Sequence, residues 1–195
     1  PVKASLRGLS PVSDRICWAS GSGGTWLKTT DGGETWDTGV IAGLDTVDFR
    51  SIHAFDENTA VAASAGQPAV IFRTEDGGKS WEKVHQEENQ IAFFDGIAFL
   101  EQSRGFIIGD PVDGFWMILE TADGGKSWKK TLYINDSTGV SDLIINPQNP
   151  KQLIAATWER TRKAWDFKGN GVGSAIYRSE DGGDTWKKSV EGFPQ

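Results

Sequence analysis

One eight-residue figure is written four times in this chain: TTDGGETW at 29–36, TEDGGKSW at 74–81, TADGGKSW at 121–128 and SEDGGDTW at 179–186. Repetition constrains a fold more tightly than composition does, because each copy must build the same unit and neighbouring units must bury each other. The motif aspartates Asp31, Asp76, Asp123 and Asp181 are 45, 47 and 58 residues apart. About 45 residues is the size of one four-stranded propeller blade.

Each unit offers four strands. First strands are read in ASLRGLS, DFRSIHAF, FFDGIAFL and GVSDLIIN, and second strands in ICWASG, TAVAASA, RGFIIGD and QLIAATW. The third (TWLKTT, AVIFRTE, WMILETA, SAIYRSE) runs directly into the motif, and the fourth (TWDTGV, SWEKVH, SWKKTLY, TWKKSV) starts at its end. Turn signals such as PVSD, DEN, EQS and NPQNP separate the first two. No segment carries a convincing helical period, so the fold class is all-β: a β-propeller built from four-stranded antiparallel blades. The blades are placed at 4–40, 47–85, 92–133 and 139–190, as one array over 1–195.

The motif chemistry is that of a hairpin. Gly-Gly accepts positive φ, and Asp bonds nearby backbone amides. The short hydroxyls on either side satisfy turn backbone groups. The closing Trp36, Trp81, Trp128 and Trp186 bring apolar bodies that pin each turn to its blade. The repeated aspartates are therefore read as structural rather than as metal ligands or acid/base groups, which would have to converge.

Composition agrees. The chain holds 24 Gly and nine Trp among 195 residues, the signature of a turn-rich β fold with aromatics to bury. A net charge of −7 argues against nucleic acid or anionic membrane as a broad partner. No apolar run approaches the ~20 residues that span a bilayer. A chain beginning PVKASLRGLS is compatible with the mature form of a secreted protein. The single Cys17 supports neither an internal disulfide nor a metal cluster and reads as a buried core thiol.

The four stretches resemble Asp-boxes, or BNR repeats, found in sialidases and many other propellers. The resemblance implies a hairpin between the third and fourth strands of each blade, away from any active site. Residues 1–130 resemble the photosystem II stability and assembly factor family, carried by LRGLS, WASGSGGTWLKTTDGGETW, FRSIHAFDENTAVAASAG and RGFIIGDPVDGFWMILETADGGKSW. Residues 139–195 are similar to sortilin and xyloglucanase-type propeller repeats, carried by DLIINPQNPKQLIAATWE and GSAIYRSEDGGDTW. The join falls near TLYINDSTGV, as a recombined or engineered chain would show. The resemblance implies a protein-binding scaffold, secreted or periplasmic, without a cofactor.

Sialidase chemistry is not expected. Tyr133 and Tyr177 are the only tyrosines, and Arg50, Arg73, Arg104 and Arg160 lack the family's contexts. Glycoside hydrolysis needs two carboxylates facing across a cleft. Asp95, Asp110, Asp113, Asp142 and Glu159 stand at strand ends, with GDPVDG (109–114), read as a turn, the most suggestive loop. His53 and His85 have no companion at metal spacing, so no metal site is assigned.

The departure from the repeat is the insertion ERTRKAWDFKGNGVG at 159–173, which interleaves Arg160, Arg162, Lys163 and Lys168 with Trp165 and Phe167. Such a loop either forms a recognition surface or is an extended hairpin whose aromatics cover a neighbouring blade. Four blades are fewer than these families close with. Self-association of two chains into an eight-bladed ring is the expected remedy, beside a fragment of a longer chain or a compact four-bladed ring. A protein partner is the first functional expectation, and glycan binding or hydrolysis the second.

Overall fold

The structure, a computed structural model, describes residues 2–88, 92–112, 115–132, 134, 138–159, 161–163 and 165–190, with the backbone alone at 110–112, 115–117 and 161–163. Four antiparallel four-stranded sheets follow one another along the chain. The first holds β1 (Leu6–Pro11), β2 (Cys17–Gly21), β3 (Thr25–Thr29) and β4 (Asp37–Val40). The second holds β5 (Asp48–Ala54), β6 (Ala60–Ala65), β7 (Val70–Thr74) and β8 (Glu82–Gln86). The third holds β9 (Phe94–Phe99), β10 (Gly105–Val112), β11 (Phe115–Thr121) and β12 (Lys129–Lys130). In the fourth, β13 (Thr138–Ile145) and β14 (Leu153–Glu159) pair with β17 (Ala175–Ser179) and β18 (Lys187–Lys188), while β15 (Thr161–Lys163) and β16 (Asp166–Lys168) make a separate hairpin. The chain is a β-propeller array, and the described residues contain no α-helix.

Two expectations change at this level. The stretch GDPVDG is not simply a turn: β10 continues through Asp110 to Val112, and β11 starts at Phe115, so only 113–114 are left between them. Cys17 is half-buried at the start of β2 rather than sealed in the core, and that partial burial still pushes its thiol pKa up.

The chain divides into two compact units, Pro1–Ile107 with Glu120–Trp128, and Ile108–Leu119 with Lys129–Gln195. In the first unit β1 and β2 pack on β5, and β5 and β6 pack on β9. β6 is covered on both faces, which is why Ala60-Val61-Ala62-Ala63 reads as a continuous apolar run instead of an alternation. The small side chains let neighbouring sheets approach. Trp18, Trp26, Phe49, Ile52 and Ala62 form the centre of the core, with Leu44, Phe72 and Trp81 packed around it. In the second unit Ile118, Leu119, Leu153 and Ala155 are fully enclosed. The first strand of the first, second and fourth sheets carries a register shift at the same place, between Leu6 and Gly8, Phe49 and Ser51, and Val140 and Asp142. A bulge repeated at equivalent positions is a built feature, which bends each inner strand alike.

Contacts between successive sheets of the first unit also repeat. Lys28 Nζ donates to the carbonyls of Glu57 and Gly77, both at 3.2 Å. Arg73, one sheet on, donates from Nε to the Gly124 carbonyl at 3.0 Å. Each cation, placed just before its own box, thus holds the first glycine of the next. The second glycine of that next box is pressed against the preceding sheet. A Cβ on Gly78 would lie 2.7 Å from Trp26, and one on Gly125 2.8 Å from Val61. With φ at 89° and 85° as well, both positions demand glycine.

Candidate functional site: the box turns and the inserted hairpin

The four turns are built by one set of bonds. The hydroxyls of Thr29, Thr74, Thr121 and Ser179 donate to Asp31, Asp76, Asp123 and Asp181 at 2.7–2.9 Å. The same oxygens accept the N–H of the second glycine, Gly33, Gly78, Gly125 and Gly183, at 2.7–3.0 Å. Each aspartate then accepts a backbone N–H and a hydroxyl from Thr35, Ser80, Ser127 or Thr185. The first glycine donates to a carbonyl in its own sheet's first turn: Gly32 to Arg15, Gly77 to Asn58, Gly124 to Ser103 and Gly182 to Lys151. The box therefore ties the hairpin of strands three and four to that of strands one and two.

These bonds favour the charged carboxylate. Donation from Thr35 holds Asp31 at about 2, and donation from Ser80 holds Asp76 at about 2. Asp181 is depressed further by Thr185. At Asp123 partial burial, the largest single influence, pushes upward but is outweighed by Ser127, Thr121 and Lys126. Folded values below the unfolded one contribute stability that is complete above about pH 4 and lost as pH falls through about 2. Urea midpoints should accordingly drop between pH 4 and 2, with a shallower drop in Asp76→Asn. Equal slopes in the two proteins would show that the box carries none of the acid sensitivity.

The box tryptophans are not equivalent. Trp81 packs against Trp18 and Trp26 at centroid distances of 6.2 and 6.4 Å. Trp128 and Trp186 donate from Nε1 to their own Gly125 and Gly183 carbonyls. Trp36 is 41% exposed.

The insertion is a hairpin in which Arg162 pairs with Phe167 and Thr161 with Lys168. Its base is fastened to the sheet: Trp158 Nε1 donates to the Gly169 carbonyl at 2.6 Å, and Glu159 Oε2 accepts Gly173 N–H at 2.6 Å. Phe167 meets Trp158 of its own sheet edge-on at 6.0 Å. Trp165, beside the tip, is 83% exposed. Arg160 and Asp113 lie outside the described residues, as do the side chains of Arg162 and Asp110.

The remaining acids serve local ends. Asp142 accepts its neighbour Leu143's N–H, and Glu159 braces the hairpin base and Thr138. Asp95 is exposed on β9, where its carbonyl takes the Ser51 hydroxyl. His53 is half-buried, stacked on Phe99 at 4.6 Å and edge-on to Phe55, and burial lowers its pKa. No group of three or more His, Cys, Asp or Glu gathers as metal ligands among the described residues. Nor does any described helix have the length and apolarity to cross a membrane. The inter-sheet cations Lys28 and Arg73 were not visible as functional in the sequence, where each is one more basic residue in a strand.

Four-stranded sheets joined by this turn define an Asp-box β-propeller. The chain belongs to the family described as Sortilin, neurotensin receptor 3, whose model matches residues 69–194. A second model, described as Photosynthesis system II assembly factor YCF48, matches residues 1–92, so the two overlap over 69–92. Among known proteins the chain is similar to the photosystem II stability/assembly factor HCF136, chloroplastic, of Arabidopsis thaliana. They are 27% identical over 95 residues, which cover 45% of this chain and only 24% of that protein. A structure of YCF48 bound to D1 peptide aligns at a TM-score of 0.59 and 17% identity over 98% of this chain and 84% of that one. The GH74 xyloglucanase from Xanthomonas campestris aligns at 0.62 and 14% over 98% and 30%. YCF48 from Cyanidioschyzon merolae aligns at 0.56 and 16% over 97% and 86%. At such identities these likenesses establish the fold.

Proposed function

We propose that the chain is a non-catalytic propeller scaffold that binds a protein partner, with the inserted hairpin as its recognition element. One observation carries the reading: the hairpin holds Trp165 83% exposed on a base fastened by Trp158 and Glu159. An indole presented near the tip of a hairpin with a braced base offers a large contact area at low entropic cost, and Trp and Arg dominate interface energetics. Arg160, Arg162 and Phe167 flank it in sequence, and Asp110 and Asp113 are the further candidates. The box aspartates are saturated within their turns, which leaves them a structural role. YCF48 bound to D1 peptide supplies a precedent for a polypeptide ligand on this fold. Self-association into an eight-bladed ring belongs to the same reading.

Deleting 161–170, or replacing Trp165 by Ala, should leave the β-sheet circular dichroism unchanged while abolishing capture from a synthetic peptide array. Equal capture by both variants would remove the hairpin from the site. The alternative, a glycan-binding or glycoside-hydrolysing propeller, draws on the same exposed indole, whose face can stack on a sugar ring. Binding or turnover in a panel of polysaccharides and chromogenic glycosides, lost in Asp110→Asn, would favour it.

A further inference from the structure

We infer that the outer face of the fourth sheet is a docking surface for the first sheet of a second copy, using the cation-to-box contact that joins successive sheets of the first unit. This inference rests on the reading that the chain self-associates, and it names the contact. Register fixes the equivalences. Lys28 pairs with Trp18, Arg73 with Val61 and Arg178 with Ile154, each cation directly preceding its box. Trp18 in turn pairs with Ser10, Val61 with His53 and Ile154 with Ile144.

The first two sets are covered. Trp18 and Val61 are completely enclosed, Ser10 Oγ accepts the Ala54 N–H of the next sheet, and the cations grip Gly77 and Gly124. The third set is open: Ile144 is 59% and Ile154 37% exposed, and Arg178 is exposed too. A groove of about 370 Å³ lies there, lined by Ile144, Leu153, Ile154, Arg178 and Glu180.

The complementary half is open on the first sheet. Gly77, Gly78, Gly124 and Gly125 are buried, whereas Gly32 and Gly33 are exposed. Leu9 occupies the place of Ile52, since they pair with Ala19 and Ala62. Ile52 is 5% exposed beneath the first sheet, and Leu9 is 68% exposed. Across the docked pair, Arg178 would donate to the Gly32 carbonyl as Arg73 does to Gly124, and Ile144 and Ile154 would cover the box turn.

One element opposes the fit. In the repeat, the sixth motif position supplies Lys126 to Glu75 at 3.4 Å. The corresponding pair across the proposed contact is Glu34 with Glu180, two acids. Self-association should thus depend on concentration and respond to either charge.

Light scattering on the 195-residue chain across a concentration series tests the contact, with circular dichroism to confirm folding. The wild type should dimerise. Arg178→Glu and Ile154→Glu should each weaken the dimer by about tenfold or more, Arg178→Lys should retain it, and Glu34→Lys should tighten it. A wild type that stays monomeric throughout would overturn both this contact and the self-association reading. A dimer indifferent to Arg178→Glu, Ile154→Glu and Glu34→Lys would overturn this contact alone.

Discussion

Trp18→Ala is expected to cost about 3–5 kcal/mol in urea unfolding, the range of large-to-small changes at enclosed aromatic sites. Trp18 is fully buried, and its Nε1 donates to the Asp56 carbonyl at 3.0 Å. Its ring lies 5.6 Å from Trp26 and 6.2 Å, edge-on, from Trp81. The Lys28 ammonium sits 5.2 Å above it while holding the Gly77 carbonyl. One truncation therefore opens a cavity, strips a carbonyl of its donor and loosens the cation that grips the second box. Against a usual total of about 5–15 kcal/mol, that is enough to leave the unit marginal. Trp36→Ala provides the contrast: at 41% exposure its loss should be much smaller. Equal midpoints for Trp18→Ala and wild type would show that the cluster does not form the core.

The difference between Trp18 and Trp36 also marks how far the sequence could be read. The box announces itself because everything it needs is local. Hydroxyl, Asp, two glycines and a second hydroxyl lie within a few residues, and the bonds found at Thr29, Asp31, Gly33 and Thr35 are those the pattern implies. Strands flanking it follow, so β7 runs into Thr74 and β11 into Thr121. Relations between blades are another matter. Nothing near Lys28 or Arg73 says that each will reach the next box, about one repeat further along the chain. The exposed Trp36 belongs to the motif and the enclosed Trp18 does not, so motif membership says little about burial. The fourth strands of the third and fourth sheets are short, Lys129–Lys130 and Lys187–Lys188, although Thr131 N–H still donates to the Ile118 carbonyl and Ser189 N–H to the Ile176 carbonyl just beyond them. The insertion forms a hairpin whose Phe167 meets Trp158 of its own sheet edge-on. Short-range alternation over TRKAWDFK cannot state which surface its aromatics will meet.

Arg104→Ala should cost about 3–5 kcal/mol, the penalty for removing one partner from a buried ion pair. The position just before the box holds a cation in three sheets, Lys28, Arg73 and Arg178, but Glu120 in the third. Glu120 is only 3% exposed, and Arg104, from the adjacent strand β10's approach, donates to its Oε1 from Nε at 2.9 Å and Nη2 at 2.6 Å. The guanidinium also lies 5.7 Å from the Phe106 ring. Without Arg104 the carboxylate loses its charge partner in a site that water barely reaches. Because a pair recovers at best a little more than its own desolvation, replacing both members by leucine should be far milder than the two single changes added together. Urea unfolding of Arg104→Leu, Glu120→Leu and the double variant forms the cycle. Strict additivity would mean that Arg104 and Glu120 are neighbours without being partners, and that the acid at 120 is held by something other than the charge beside it.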